Sequence, residues 1–354
     1  MALPSSFPVV RPARLYKRLP ENKVKCGLCM RGCEIGDGGK GYCKTRVNLD
    51  GDLYTLVYGD ISAIESRPIE IKPFFHYYPS STALTFSTWS CNFSCPWCQN
   101  HSLSKAEPDP RRARYFSPAE IVDIALRSSD DGLCISFQEP TLLYEFALDC
   151  FQLSREKGLY NCFVSNGYMS AEALRNLKEA GLDGLKIDIK GNAQVYEKFC
   201  GGVDVEAIWK NVMEAKKLGL HLELVFLIVT EVNDDEACIA EIIQKHLKYA
   251  GANVPLHFTR YYPAFLYRKP PTRVEILEQA YETARKEGIM FPYIGNVRGH
   301  RYENTYCPNC GELLIVRVGN RVVDYIMGED KRCPKCSLEI PITGRYIKKP
   351  FKFL

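Results

Sequence analysis

The chain has 354 residues, 46% hydrophobic and 25% charged, which is apolar enough for a large core and excludes a disordered chain. Lys and Arg number 46 against 42 Asp and Glu, and the resulting +4 is too weak a bias to announce nucleic acid or an anionic membrane as main partner. The apolar run Leu224 to Val229 is only strand length, where a membrane helix needs about 20 residues, and the start MALPSSFPVVRPARLYKRL lacks the pattern of a secretory leader, so the chain reads as cytoplasmic with no membrane partner.

In chain order, residues 1 to 20 are rich in proline and basic residues and predict an extended arm; residues 44 to 80 predict strands and turns leading to a larger domain. Six apolar strands then follow: Ala83 to Trp89, Gly132 to Phe137, Asn161 to Ser165, Gly184 to Ile189, His221 to Val229 and Val254 to Thr259. Amphipathic segments alternate with them. Ser117 opens one with Glu120 at capping-box spacing, and Ser170 opens another. Further helices are expected over Leu142 to Lys157, Asn192 to Leu218, Asp234 to Tyr249 and Val274 to Gly288. Alternating strands and helices predict an α/β fold, a partial (β/α)6 TIM-type barrel whose chemistry collects at the C-terminal ends of its strands. The expected division is an arm and four-cysteine module over 1–80, the barrel over 81–300 and a zinc-ribbon-like module over 301–354.

Sixteen cysteines in a reducing compartment point to metal before disulfides. Eleven fall into three groups. Cys134, Cys150, Cys162, Cys200 and Cys238 stand singly in apolar patterns and read as small buried hydrophobes without function.

Directly after the first barrel strand comes Cys91-Asn-Phe-Ser-Cys95-Pro-Trp-Cys98, three thiols in eight residues with no fourth nearby. A structural zinc or an ordinary iron–sulfur cluster takes four protein ligands. A tight trio therefore suggests either a borrowed ligand or a metal with one position open, and in a four-iron cluster that open iron can bind S-adenosylmethionine (SAM) and reduce its sulfonium to a carbon radical. Buried or zinc-bound cysteines in a turn are the bland alternative.

This CxxxCxxC loop, with Trp97 before its last cysteine, resembles the radical SAM superfamily. In that light Glu139, in Phe137-Gln138-Glu139-Pro140-Thr141 after strand two, stands where the superfamily has a glycine-glycine-glutamate turn, although both glycines are missing. Ser165 and Asn166 after strand three, Asp188 and Lys190 after strand four, and His257 at strand six are the other implied cofactor contacts, with Trp97. Taken alone each is ambiguous, and His257 by itself reads as a satisfied core histidine before it reads as a ligand contact. Nearly the whole chain, from about Cys26 to Gly344, is similar to the radical SAM member of the AmmeMemoRadiSam group, itself similar to pyruvate formate-lyase activating enzyme. The carrying strings include Leu53 to Gly59, Pro68-Ile69-Glu70 with Lys72-Pro73 and His76, Cys98-Gln99-Asn100, Glu139-Pro140-Thr141 with Tyr144-Glu145, Pro255 to Phe258, Tyr293 to Val297 and Glu303 to Cys310. Thr230-Glu231 replaces a usual proline-glycine turn, which brings a carboxylate toward the expected cofactor position, and Ser337 replaces a usual glycine.

Cys307-x2-Cys310 and Cys333-x2-Cys336, joined by a predicted hairpin around Gly319-Asn320, form a zinc-ribbon pattern, with rubredoxin-like iron as rival. Cys26, Cys29, Cys33 and Cys43 are less regular; zinc is expected there too, with an auxiliary iron–sulfur cluster as rival. The resemblance implies an oxidoreductase-type enzyme that uses a [4Fe–4S] cluster and SAM to make a 5′-deoxyadenosyl radical for hydrogen abstraction. The substrate suggested by the activating enzymes is a protein, the electron donor a flavodoxin or ferredoxin, and Memo-like and AMMECR-type proteins are implied partners. From another class, the basic segments Arg11 to Lys25 and Arg345 to Lys352 with the zinc ribbon suggest nucleic-acid binding or modification.

Overall fold

The computed structural model describes residues 7–348. Its centre is an eight-stranded sheet. We label the strands in chain order β1 (Ala63–Pro68), β2 (Thr82–Ser87), β3 (Gly132–Ile135), β4 (Tyr160–Ser165), β5 (Gly184–Ile189), β6 (His221–Ile228), β7 (Leu256–Arg260) and β8 (Pro292–Gly295). From β2 to β8 every pairing between neighbours is parallel, and β1 joins the edge antiparallel to β2. The two edge strands, β8 and β1, are not paired with each other, so the barrel is partial.

Beside a single turn over His101–Ser104, the helices are α1 (Pro118–Arg127), α2 (Tyr144–Glu156), α3 (Ala171–Ala180), α4 (Ala193–Phe199), α5 (Val205–Lys217), α6 (Glu236–Tyr249) and α7 (Val274–Glu287). Helix α1 starts where the sequence signals it: Ser117 Oγ accepts from the Glu120 N–H and Glu120 Oε2 accepts from the Ser117 N–H, satisfying two orphan donors reciprocally. Ser170 likewise caps α3 through the Ala173 N–H. The single helix expected over 192–218 is two helices, because Gly201 and Gly202, both at positive φ, break the chain between them. Among the described residues no helix is long and apolar enough to cross a membrane.

The sheet extends past the six expected strands at both ends. Strand β8 is a seventh parallel strand, and β1 lies before residue 81, so the sheet runs across the expected boundary at 80/81. The arm is also less free than expected. Arg11–Pro12 pairs with Asp52–Thr55, and Tyr16–Arg18 pairs with Val24–Cys26, placing it in two small sheets around the first cysteine group. Of the cations in and just after it, Arg18 pairs with Asp52, Lys23 with Glu21 and Lys25 with Glu34. The second basic segment is described only to Lys348; its remaining residues, and residues 1–6 of the arm, lie outside the described part.

The N-terminal module sits on the mouth of the barrel: the Ser170 N–H donates to Leu28 O, and Arg31 Nε donates to Asn92 O at 2.6 Å. Below the floor lies the C-terminal module, three antiparallel strands with the expected hairpin between Leu313–Arg317 and Val322–Tyr325. Its core is continuous with Phe75, Phe291 and Tyr293. The wholly buried Arg317 fastens it, donating to Phe75 O and Thr305 Oγ1 at 2.8 Å and lying over the Phe75 ring.

Burial also makes the fold acid-sensitive. His246 on α6 is wholly enclosed, with Nε2 2.9 Å from Val254 O, and burial drives its pKa down to about 4. A histidine kept neutral in the folded state contributes stability above its unfolded pKa of about 6.5, and this is lost as pH falls toward the folded value, at about 1.4 kcal/mol per pH unit. His76 and His257 are shifted the same way by burial. The urea midpoint is therefore expected to drop between pH 7 and pH 5, and His246→Gln should make that drop shallower. An equal slope in the variant contradicts the assignment.

Candidate functional site

Chemistry-bearing side chains collect at one end of the sheet because strand alternation turns every second residue of β2 to β8 inward and the loops that follow them open on one side. A cavity of about 490 Å³ lies there, within the usual range for small-molecule sites. Cys91, Cys95 and Cys98 line its mouth; Glu139, Ser165, Asn166, Asp188, Lys190, His257 and Trp97, the implied cofactor contacts, all line it as well.

The trio's loop is held from several sides. The Phe93 N–H lies 3.4 Å from the Cys91 sulfur, Ser104 Oγ lies 3.1 Å from that of Cys98, and Lys105 Nζ donates to Phe93 O. Asn100 Nδ2 donates to Phe137 O, tying this loop to the next. Trp97 is buried against Phe199 and Tyr267 and forms wall more than free surface.

Glu139 is wholly buried and accepts four hydrogen bonds. Oε1 takes the Thr141 N–H, the Thr141 hydroxyl and the Ser165 hydroxyl, while Oε2 takes the Asn166 N–H at 2.8 Å. Oε1 is saturated and Oε2 keeps one acceptor position for a ligand. Burial nonetheless pushes its pKa up. The missing glycines leave a visible trace at Phe137, which takes φ 72°, the left-handed region where glycine is at ease and a bulky side chain is strained.

On β5 and just beyond it, Lys186, Asp188 and Lys190 share the inward face. Asp188 Oδ2 lies 3.1 Å from Lys190 Nζ, and Asp188 Oδ1 pairs with Lys186. Burial works against the Asp188 carboxylate, but Lys186 and then Lys190 outweigh it and hold its pKa at about 2. Burial likewise opposes the charge on Lys190, and Asp188 outweighs that, keeping it above the ordinary lysine value.

His257 sits at the cavity floor, 1% exposed, with Nε2 2.6 Å from Glu223 Oε2 and its ring stacked on Tyr293. Glu223 also meets His221 Nε2 at 3.0 Å and the His76 N–H at 2.8 Å. Burial lowers the His257 pKa despite that carboxylate, and its Nδ1 has no partner.

Glu231 departs from expectation. It takes φ 60° in the turn after β6, and its carboxylate points out to Lys269 at 2.6 Å, not to the cavity. The exposed cation draws it away.

The sequence of the family model for the Radical SAM superfamily matches residues 87–243. The uncharacterized protein MJ0808 of Methanocaldococcus jannaschii is 41% identical over 336 residues, covering 94% of this chain and 100% of its own. The chain belongs to the radical SAM superfamily. A radical SAM methyltransferase from Sphaerobacter thermophilus shares the fold at TM-score 0.51 and 13% identity, over 86% of this chain and 81% of that one. A domain of pyruvate-formate lyase-activating enzyme from Bacteroides vulgatus overlaps 47% of this chain and 99% of its own at TM-score 0.41 and 19% identity, which is too loose to carry an argument.

Membership in the superfamily implies a [4Fe–4S] cluster and SAM, and the residues present fit both. Cys91, Cys95 and Cys98 offer three thiols to one cavity, the ligand count that leaves one iron of a four-iron cluster open. Beside Glu139, Gln138 is buried with both Oε1 and Nε2 unpartnered on the cavity wall, a polar head without a protein mate.

Gln138 was passed over in the sequence because Glu139 took the recognisable position. Lys72, buried over the Phe137 ring, and Glu70, whose carboxyl burial pushes up to about 7, also line the cavity; they were visible only as part of a shared string. Cys200 was assigned no function, yet its sulfur lies 3.6 Å from that of Cys95 across 105 residues. Cys134, Cys150, Cys162 and Cys238 are buried as expected. If the trio alone holds the cluster, Cys200→Ala should keep the full iron and sulfide content and form 5′-deoxyadenosine within about twofold of wild type. Loss of about four irons per chain would make Cys200 a ligand and close the open position.

At the other end of the molecule, Cys307, Cys310, Cys333 and Cys336 have sulfurs all within 4.8 Å of one another, a group able to hold a metal ion. Ser337, following the last of them, takes φ 61°, the conformation that explains the usual glycine there.

Proposed function

We propose that this chain binds a [4Fe–4S] cluster through Cys91, Cys95 and Cys98 and cleaves SAM reductively to abstract hydrogen from a bound substrate. The observation that carries this reading is the convergence of exactly three loop thiols with unsatisfied and charged groups around one cavity. A [4Fe–4S] cluster held by these three thiolates would supply the one-electron reduction that breaks the sulfonium–carbon bond of SAM.

The protein's own part is to bind and orient. Glu139, fixed by Thr141, Ser165 and Asn166, presents Oε2 to the SAM ammonium, and Lys190 faces its carboxylate. Asp188 holds Lys190 charged and in place. Gln138 offers an amide donor and acceptor to ribose or substrate. His257 is held by Glu223 at the floor, and its Nδ1 is free toward a ligand. Lys72 and Glu70 make the inner wall polar, which favours a polar group entering the cavity, such as a backbone segment of the protein substrate that resemblance to the activating enzymes suggests.

A low-potential flavodoxin or ferredoxin fits as electron donor, and the C-terminal thiolates as a structural zinc site. In the first basic segment Arg18, Lys23 and Lys25 are paired with acidic neighbours, which leaves less free charge for a nucleic acid. The test is anaerobic reconstitution with reductant and SAM. 5′-Deoxyadenosine and methionine are expected in equal amounts; neither forming from protein with a full cluster contradicts the proposal.

A further inference from the structure

The charged groups around the main cavity are not all satisfied alike. Asp188 is paired with Lys186 and Lys190, Glu139 accepts four hydrogen bonds, and on the rim Arg67 meets Glu65 at 2.6 Å. Glu70 and Lys72 break this pattern. The short turn Ile69–Ile71 and the residue after it place both on the cavity wall, where Glu70 is 1% and Lys72 5% exposed. Glu70 Oε1 accepts the Ser80 N–H at 2.6 Å, and Oε2 has no partner. Lys72 Nζ lies 4.9 Å over the Phe137 ring, and among the described residues no ion pair joins it to Glu70. Burying an anion and a cation apart from each other is costly, and a ligand that carries both signs would offset that cost.

Each charge has a neutral companion. Burial opposes the Glu223 carboxylate, but the two histidines outweigh it and keep it ionised. Glu223 Oε2 therefore accepts the hydrogen bond from His257 Nε2, so His257 Nδ1 carries a lone pair, and this atom too is without a partner. Glu70 and His257 share Arg317 and Glu223 as charged neighbours, which makes one end of the site an acceptor end. Burial pushes the Glu70 carboxyl up to about 7, and a cation beside Oε2 would return it to the ionised form. At the donor end, Lys72 lies over Phe137 and the next residue, Gln138, has an unpartnered Nε2. An ammonium brings three N–H groups to the first end, and a carboxylate brings two oxygens to the second.

We propose that Glu70, His257, Lys72 and Gln138 form a second binding site in this cavity, for the ammonium and carboxylate of a small zwitterion of the free amino acid class. This rests on the reading above in one respect: Glu139 and Lys190 are taken up by the methionine end of SAM, which leaves these four residues to the substrate. The polar group that enters is thereby narrowed. An internal peptide segment offers N–H and C=O but neither charge, and it is the competing outcome of the test.

The experiment is equilibrium dialysis of the full chain, reconstituted without oxygen and saturated with SAM, against each of the common L-amino acids. At least one is expected to bind at one per chain with Kd below about 1 mM, and its N-acetyl and its amide derivatives at least about tenfold more weakly. Glu70→Gln should remove the penalty for acetylation and Lys72→Met the penalty for amidation, a crossed pattern that a general loss of structure would not give. Should the variants fail to fold, the wild-type comparison decides alone. No amino acid bound below about 1 mM overturns the proposal. So does equal binding of the N-acetyl amide, which carries neither charge and stands for a peptide segment. Dialysis reads binding and not radical chemistry: protein that binds the amino acid but cannot cleave SAM would refute the SAM reading and leave this site standing.

Discussion

Cys95→Ala is expected to abolish SAM cleavage, with 5′-deoxyadenosine falling by at least roughly 10³-fold, to background. Cys95 is buried in the loop after β2, and it is one of only three thiols in the superfamily loop that line the cavity mouth. Removing it leaves two thiolates, too few to hold the cluster, so about four irons and four sulfides should be lost along with activity. Quantifying 5′-deoxyadenosine by chromatography beside labile sulfide separates the outcomes. Undiminished product in the variant would mean that another ligand, with Cys200 nearest at 3.6 Å, holds the metal.

The second large effect is on stability. Glu223 is wholly buried and accepts from His257, His221 and the His76 backbone. Burial alone would raise its pKa, but hydrogen bonds from the two histidines win and depress it. Glu223→Ala strands those donors in a closed floor and is expected to cost about 3–5 kcal/mol; Glu223→Gln, which keeps an acceptor, should cost about 1–3 kcal/mol. A depressed carboxylate contributes stability that is present above its unfolded pKa of about 4.3 and lost as pH falls through the folded value. The gap between wild type and the alanine variant should therefore narrow below about pH 4. Equal urea midpoints at pH 7 contradict this account of the floor.

Much of the barrel was legible because its strands are apolar on both faces and its helices carry their own caps. Strand β1 was not, since Ala-Ile-Glu-Ser-Arg-Pro is a half-exposed edge strand with no apolar alternation. Strand β8 has only four residues, bounded by Pro292 and Gly295, and looks like a turn until β7 pairs with it. In the site, the trio and Glu139 stood out because local spacing carries their signal. Gln138, Cys200 and the Glu223 network did not, because their partners are set by tertiary contact: His257 meets Glu223 across 34 residues and Cys200 meets Cys95 across 105. Cysteine spacing marked the C-terminal group, and folding brings its four sulfurs within 4.8 Å of one another.

The whole reading turns on an iron at Cys91, Cys95 and Cys98 that takes SAM as its remaining ligand. Electron–nuclear double resonance on the reduced protein, with SAM carrying 17O in its carboxylate and 15N in its amino group, tests this most directly. The account predicts hyperfine coupling from both labels to the cluster in wild type and from neither in Cys95→Ala. No coupling from either label in wild type saturated with SAM would contradict it.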